Sequence, residues 1–167
     1  AAELQQSQTT RVQVEHFSKR FPQMPIEDGY RVSRAWVAQQ IQAGAKVIGH
    51  KIGLTSRAMQ ISSQIDEPDY GTLLDFMRYD CTPGQVLNIP ANRFIAPRVE
   101  VELAFILNAP LQGPNITVEQ VLDATDYVSP CFEIVDSRIR DWKIKIEDTV
   151  ADNASCGVFV VGQQRIA

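Results

Sequence analysis

A chain of 167 residues, 44% apolar and 22% charged, is long enough for one domain with a real core and ordinary in composition for a globular protein. A net charge of -4, with Asp136, Asp141, Glu147 and Asp148 interleaved among Arg138, Arg140, Lys143 and Lys145, excludes a basic nucleic-acid stripe. No run reaches the roughly 18 apolar residues of a membrane span, AAELQQSQTT is not a secretory leader, and Cys81, Cys131 and Cys156 are too far apart for a disulfide framework or a cysteine zinc site, so a reducing cytoplasm is expected.

Residues 1–20 are polar, lack Pro and Gly, and predict a helix. FPQMP (21–25) ends it, because each proline disfavours helix at the residue before it. Ile26, Tyr30, Val37 and Ile41 then recur at helical spacing, with Gly44 as the stop. Residues 1–45 are therefore expected to be a helical N-terminal segment, and residues 46–167 a β-rich core. KVIGHKIGLT (46–55) alternates as a strand, with Ile48, His50, Ile52 and Leu54 on an apolar face and Gly49, Lys51 and Gly53 on the other. RAMQISSQI (57–65) predicts one or two helical turns. EPDYGTLL, with Pro68 and Gly71, predicts a loop, and TPGQVLNIPANRF (82–94) predicts turns around short strands. RVEVELAFIL (98–107) is a strand. Thr117 and Gln120 form a capping-box signature for a helix of about ten residues. YVSPCFEIVDSRI (127–139) alternates again, with Pro130 marking an edge or bulge. VADNASCG (150–157) predicts a loop, and VFVV (158–161) a buried strand. Helices first and strands after define an α+β fold with a mostly β core.

Glu100 and Glu102 share one face of their strand. Val99, Val101, Leu103, Phe105 and Leu107 occupy the other, which is expected to be core. Two like charges side by side repel unless a cation or hydrogen bonds offset them; an acidic solvated face and a metal site both remain open. Glu133 supplies a third carboxylate in an otherwise interior-grade run, where an unpaired charge would be costly. Three glutamates without His suit Mg²⁺ or Mn²⁺ rather than zinc. Lys51 lies between two glycines on its strand face, a position open to a ligand or to a simple surface lysine. His50 reads as a core histidine. Asp69 reads either as a turn former or as a base, and Asp152, Asn153 and Ser155 as turn caps or substrate contacts.

GHKIGLTS (49–56), EPDYGTL (67–73), PRVEVELAFIL (97–107) and SPCFEIVDSRIRDWKIKIEDTVADNASCGVFVVG (129–162), in that order, resemble the 2-hydroxypenta-2,4-dienoate hydratases. These are the 2-keto-4-pentenoate hydratases of bacterial aromatic meta-cleavage catabolism, within the wider fumarylacetoacetate-hydrolase-like superfamily. The resemblance covers residues 26–162. It implies a core of the fumarylacetoacetate-hydrolase C-terminal-domain type, and the family's further strands imply that this core is truncated at its C-terminal end. It carries the metal ligands onto Glu100, Glu102 and Glu133, the catalytic residues onto Lys51 and Asp69, and a substrate contact onto Ser155.

The activity so implied is a Mg²⁺- or Mn²⁺-dependent hydro-lyase reaction. Water adds to 2-hydroxypenta-2,4-dienoate to give 4-hydroxy-2-oxopentanoate, with Lys51 and Asp69 moving protons. A homo-oligomer and a complex with 4-oxalocrotonate decarboxylase are the implied assemblies. The competing readings are 4-oxalocrotonate decarboxylase itself, 2-oxohept-4-ene-1,7-dioate hydratase, which would need a cationic group for its distal carboxylate that Arg57 alone does not establish, and a non-catalytic scaffold subunit for a decarboxylase.

Overall fold

The computed structural model describes residues 1–166 apart from Gln64 and Pro83, without the side chains of Ser62 and Ser63. The expected first helix is two helices, α1 (Ala2–Thr10) and α2 (Phe17–Arg20). Arg11 turns left-handed after α1 (φ 61°), and the intervening stretch is extended. There the Val14 N–H donates to the Arg138 carbonyl, and the Arg140 N–H donates to Val14. The alternating Val12-Gln13-Val14 is strand chemistry inside a segment that only its polarity made helical. Helix α3 (Ile26–Gln42) opens with Glu27 and Asp28 in its first turn, which suits the dipole, and Gly44 follows it at φ +104°. Its buried face is Gly29, Ser33, Trp36 and Val37, whereas Ile41 is exposed.

Strands β1 (Val47–Gly53) and β2 (Asp69–Leu74) form an antiparallel pair, with α4 (Arg57–Ser63) in the connection. Gln64, in the stretch expected to be helical, lies outside the described residues. EPDYG is thus not a loop from Asp69 onward. A second sheet holds β3 (Arg78–Asp80), β6 (Cys156–Val161), β5 (Thr125–Asp136) and β4 (Pro97–Leu107), in that order. β3 runs parallel to β6 and the other neighbours are antiparallel. The described residues of 82–94 contain no strand, only a 3₁₀ turn at Ala91–Arg93. Helix α5 (Val118–Asp123) is shorter than expected but carries the Thr117–Gln120 capping box, and α6 (Ile146–Ala151) precedes β6.

Leu4, Phe17, Trp36, Met77, Ile139, Cys156 and Phe159 belong to one hydrophobic cluster, so the N-terminal helices and the four-stranded sheet share a core. The face of β4 expected to be buried is not: Val99, Val101 and Leu103 are 67%, 79% and 62% exposed, and Phe132 of β5 stands beside them, also exposed. Among the described residues, nothing is layered over that side. His50 is likewise exposed, and the face of β1 that turns inward is the one with Gly49, Lys51 and Gly53. Pro130 sits in an inner strand, not at an edge or bulge. Its carbonyl accepts the Gly162 N–H at 2.7 Å just where β6 ends.

Candidate functional site

The site is built on the register of β4 against β5. Glu100 stands directly opposite Glu133, and Glu102 opposite Cys131, so all three carboxylates share one sheet face. One oxygen from each lies within 4.8 Å of the others. Glu133 is buried and Glu100 exposed, so the cluster runs from the interior to the surface. Burial holds the Glu133 carboxyl above the ordinary glutamate range, although the positive charge of Lys51 opposes the shift. Its Oε1 lies 2.9 Å from Lys51 Nζ as a charge pair and accepts no well-directed hydrogen bond. A buried carboxylate oxygen with unused lone pairs, in an all-oxygen donor set, fits a hard divalent cation. Burial and the nearby carboxylates push the neighbouring Cys131 thiol up to about 11 and the Cys156 thiol upward as well, which favours their protonated forms.

Lys51 and Asp69 are diagonal neighbours on one face of the β1–β2 pair, because Lys51 pairs with Gly71 and Gly53 with Asp69. The motif glycines make room for them. A Cβ at Gly53 would collide with Asp69 Oδ1, and one at Gly71 would come 2.6 Å from the Asn153 carbonyl and 3.1 Å from Lys51 Cγ. Burial works to lower the Lys51 pKa, but Glu133 and the other acidic groups around it outweigh that, and the ammonium is held above its usual range. Asp69 is only 4% exposed, and its Oδ1 has no partner. Burial raises its pKa, and the charge of Lys51 only partly offsets this.

The third component is the turn between α6 and β6. Asn153, Ala154 and Ser155 have φ of 57°, 51° and 51°, three consecutive left-handed residues without a glycine. For Ala and Ser this conformation costs roughly 1–2 kcal/mol each, so the surroundings must impose it. Asp152, fully buried, accepts from Arg138 Nε at 2.5 Å and from the Arg138 backbone N–H at 3.0 Å. The Arg138 guanidinium also donates to the Asp152 carbonyl and lies 4.2 Å over the Trp36 ring. The product of this turn is the Ala154 carbonyl, which accepts from Lys51 Nζ at 3.0 Å. Ser155 is buried, and its hydroxyl donates to Asp152 Oδ2 at 3.4 Å. Its side chain is thus engaged within the turn.

Five of the six residues singled out from the sequence, Glu100, Glu102, Glu133, Lys51 and Asp69, therefore lie on adjoining faces of the two sheets. Arg138 and the Ala154 carbonyl escaped sequence reading. Arg138 looked like part of a solvated charge cluster, and a main-chain oxygen has no side-chain signal. The hint available was a sharp turn in DNAS without Gly. A separate cavity of about 150 Å³, between Arg11, Phe76, Arg93 and Arg138, contains none of the three glutamates.

No family model matches the chain. Its fold superposes on the 4-oxalocrotonate decarboxylase from Pseudomonas putida G7 complexed with magnesium and adipate, with a TM-score of 0.87 and 29% identity, over 99% of this chain and 62% of that one. The mixed α+β architecture is thus shared with that magnesium-complexed decarboxylase. The chain is 47% identical over 165 residues to a 2-hydroxypent-2,4-dienoate hydratase of Pseudomonas putida, covering 99% of this chain and 73% of that protein. It is 52% identical over 143 residues to a 2-hydroxyhexa-2,4-dienoate hydratase of Comamonas testosteroni, covering 86% and 53% respectively. The chain belongs to this dienoate hydratase family. It spans about half to three quarters of the length of these relatives.

Proposed function

We propose that this chain carries the metal-binding and proton-transfer groups of a hydratase that adds water to 2-hydroxypenta-2,4-dienoate, giving 4-hydroxy-2-oxopentanoate. The observation that carries the reading is the convergence of Glu100, Glu102 and Glu133, with Lys51 in contact with Glu133. The glutamates would hold Mg²⁺ or Mn²⁺, which when bound supplies Lewis-acid stabilisation of negative charge on the substrate oxygens.

Lys51 has three N–H donors. One goes to Ala154 and one faces Glu133, leaving a third for the substrate's C2 oxygen. Asp69, with an unpartnered buried oxygen, is suited to take and return a proton. In the first stage the proton on the C2 hydroxyl leaves and one arrives at C5, so that the double bonds shift to C2=O and C3=C4. In the second, water adds across C3=C4, its oxygen to C4 and its proton to C3. Ser155 contributes through the turn that places Ala154. A homo-oligomer, and association with a 4-oxalocrotonate decarboxylase, belong to the same reading.

The test is to generate 2-hydroxypenta-2,4-dienoate and follow its ultraviolet absorbance with Mg²⁺, then with chelator. Metal-dependent loss to 4-hydroxy-2-oxopentanoate is expected; background loss alone would rule the hydratase out. The similarity to the decarboxylase fold favours a second reading. Release of CO₂ from 4-oxalocrotonate by this chain would move the assignment there.

A further inference from the structure

The groups needed for this chemistry sit on separate pieces of backbone. The glutamates lie on β4 and β5, and Lys51 and Asp69 on β1 and β2, which belong to another sheet. The carbonyl that holds Lys51 lies on the turn after α6. One side chain fastens that turn to the small sheet. Asn153 is fully buried. Its Nδ2 donates to the Thr72 carbonyl at 2.9 Å, and its Oδ1 accepts from the Thr72 N–H at 2.8 Å and from Ser33 Oγ at 3.3 Å.

Thr72 pairs with His50 across the β1–β2 ladder. Both its backbone groups nevertheless point away from β1 and are taken by one carboxamide. Asn153 thus stands where a neighbouring strand would, and satisfies two backbone groups that burial would otherwise penalise. Aspartate could not do this, because it lacks the donor and would set a carboxylate against a carbonyl. Glutamine would need space for one more methylene in a fully buried place. The close approach at Gly71 seats the Asn153 backbone directly on β2.

We propose that Asn153 is a positioning residue for proton transfer. By docking the turn on β2 at Thr72, it fixes where the Ala154 carbonyl stands. It thereby fixes the Lys51 ammonium relative to Asp69, which lies on β2 three residues before Thr72. The glutamate cluster stands on the other sheet, and Asn153 reaches it only indirectly, through Lys51 at Glu133. The turnover arm of the test rests on the hydratase reading; the chemical-labelling arm does not.

Asn153→Asp keeps the size and removes the donor. Gly71→Ala perturbs the same junction from the opposite side. Each is compared with wild type by competitive acetylation with acetic anhydride, read by mass spectrometry as the rate at Lys51 relative to Lys46. Mn²⁺ titration, thermal melting and turnover of 2-hydroxypenta-2,4-dienoate complete the set. Loss of the hold on Lys51 should raise its relative acetylation about tenfold. Misplacement on the scale of 1 Å should lower kcat about a hundredfold. KM and Mn²⁺ affinity should change much less.

Unchanged Lys51 acetylation in a folded Asn153→Asp protein overturns the proposal. So does a parallel loss of Mn²⁺ affinity with general exposure of the other lysines, or failure of both variants to fold, since each marks a purely structural role. Wild type that turns over no dienoate overturns the hydratase reading instead, and the acetylation ratio still decides the role of Asn153.

Discussion

Removing the Asp152 carboxylate should be among the most damaging single changes in this chain. Asp152 is fully buried and Arg138 is 4% exposed, so solvent screens neither. In Asp152→Ala the guanidinium keeps the Trp36 face at 4.2 Å, the main-chain carbonyl of residue 152 at 2.7 Å and Gln8 Oε1 at 3.4 Å, but loses its counter-charge. Stripping one partner from a buried ion pair costs about 3–5 kcal/mol. The remaining cation–π contact is worth about 1–2 kcal/mol but is already present in the wild type, so it offsets none of that loss. A destabilisation of about 3–5 kcal/mol is expected, and at about 2–4 °C per kcal/mol for a chain of this size the melting temperature falls by about 6–20 °C. The double variant Asp152→Ala/Arg138→Met removes both charges and should recover about 2 kcal/mol or more, because paired burial of charge contributes little net stability. Urea unfolding at neutral pH, followed by tryptophan fluorescence, measures both. A single-variant cost below about 1 kcal/mol, or a double variant as unstable as the sum of the two singles, would refute the view that this pair imposes the left-handed turn.

Glu102→Ala should abolish detectable Mn²⁺ binding, since it removes one of the three carboxylates clustered among the described residues; an unchanged titration would dismiss the site. Because burial raises the Glu133 pKa, a proton must leave before this group can ligate, and Mn²⁺ affinity should weaken on acidification at a higher pH than for an ordinary glutamate, by up to about tenfold per pH unit below the raised pKa. A dissociation constant flat from pH 8 to pH 4.5 would contradict this. Asp69 also has a raised folded-state pKa, so the folded state binds the extra proton: its contribution to stability is greatest below the unfolded value and declines as pH rises through the folded one. Asp69→Asn should therefore stabilise the fold by about 1 kcal/mol at pH 8, with the gain vanishing at pH 4, while turnover is lost; an equal effect at both pH values would count against it. Gly53→Ala should displace Asp69 and reduce turnover, at about 1–3 kcal/mol of stability from overpacking, with Mn²⁺ affinity retained; full activity would show that the clash is relieved elsewhere.

Period-two alternation was enough to place Glu100 and Glu102 together and to put Lys51 between two glycines. It could not say which face of each strand would meet the core, because the packing partner lies elsewhere in the chain. Hence the apolar row of β4 and the face of β1 with Ile48, His50 and Ile52 are exposed, where a core was expected. Nor does one strand's pattern contain the register that sets Glu100 opposite Glu133. Pro68 and Gly71 made EPDYG look like a loop, yet Gly71 has ordinary strand geometry and is needed for the close approach of the Asn153 backbone. The helical reading of residues 1–20 missed the extended stretch that bonds to Arg138 and Arg140, because a single parallel bridge between Val14 and Ile139 depends on a partner more than a hundred residues away. Motif order, by contrast, marked the family, since it integrates many weak local signals over most of the chain.

Strand β4 interleaves two messages, the glutamate pair on even-numbered positions and a row of apolar side chains on odd ones. As the outermost strand it is aligned by β5 alone. A slip of one residue would leave most ladder hydrogen bonds available, yet would swing the glutamates to the far side and bring valines up to Lys51. Point substitutions can edit either message without touching the other, whereas a one-residue insertion between Pro97 and Glu100 exchanges them wholesale.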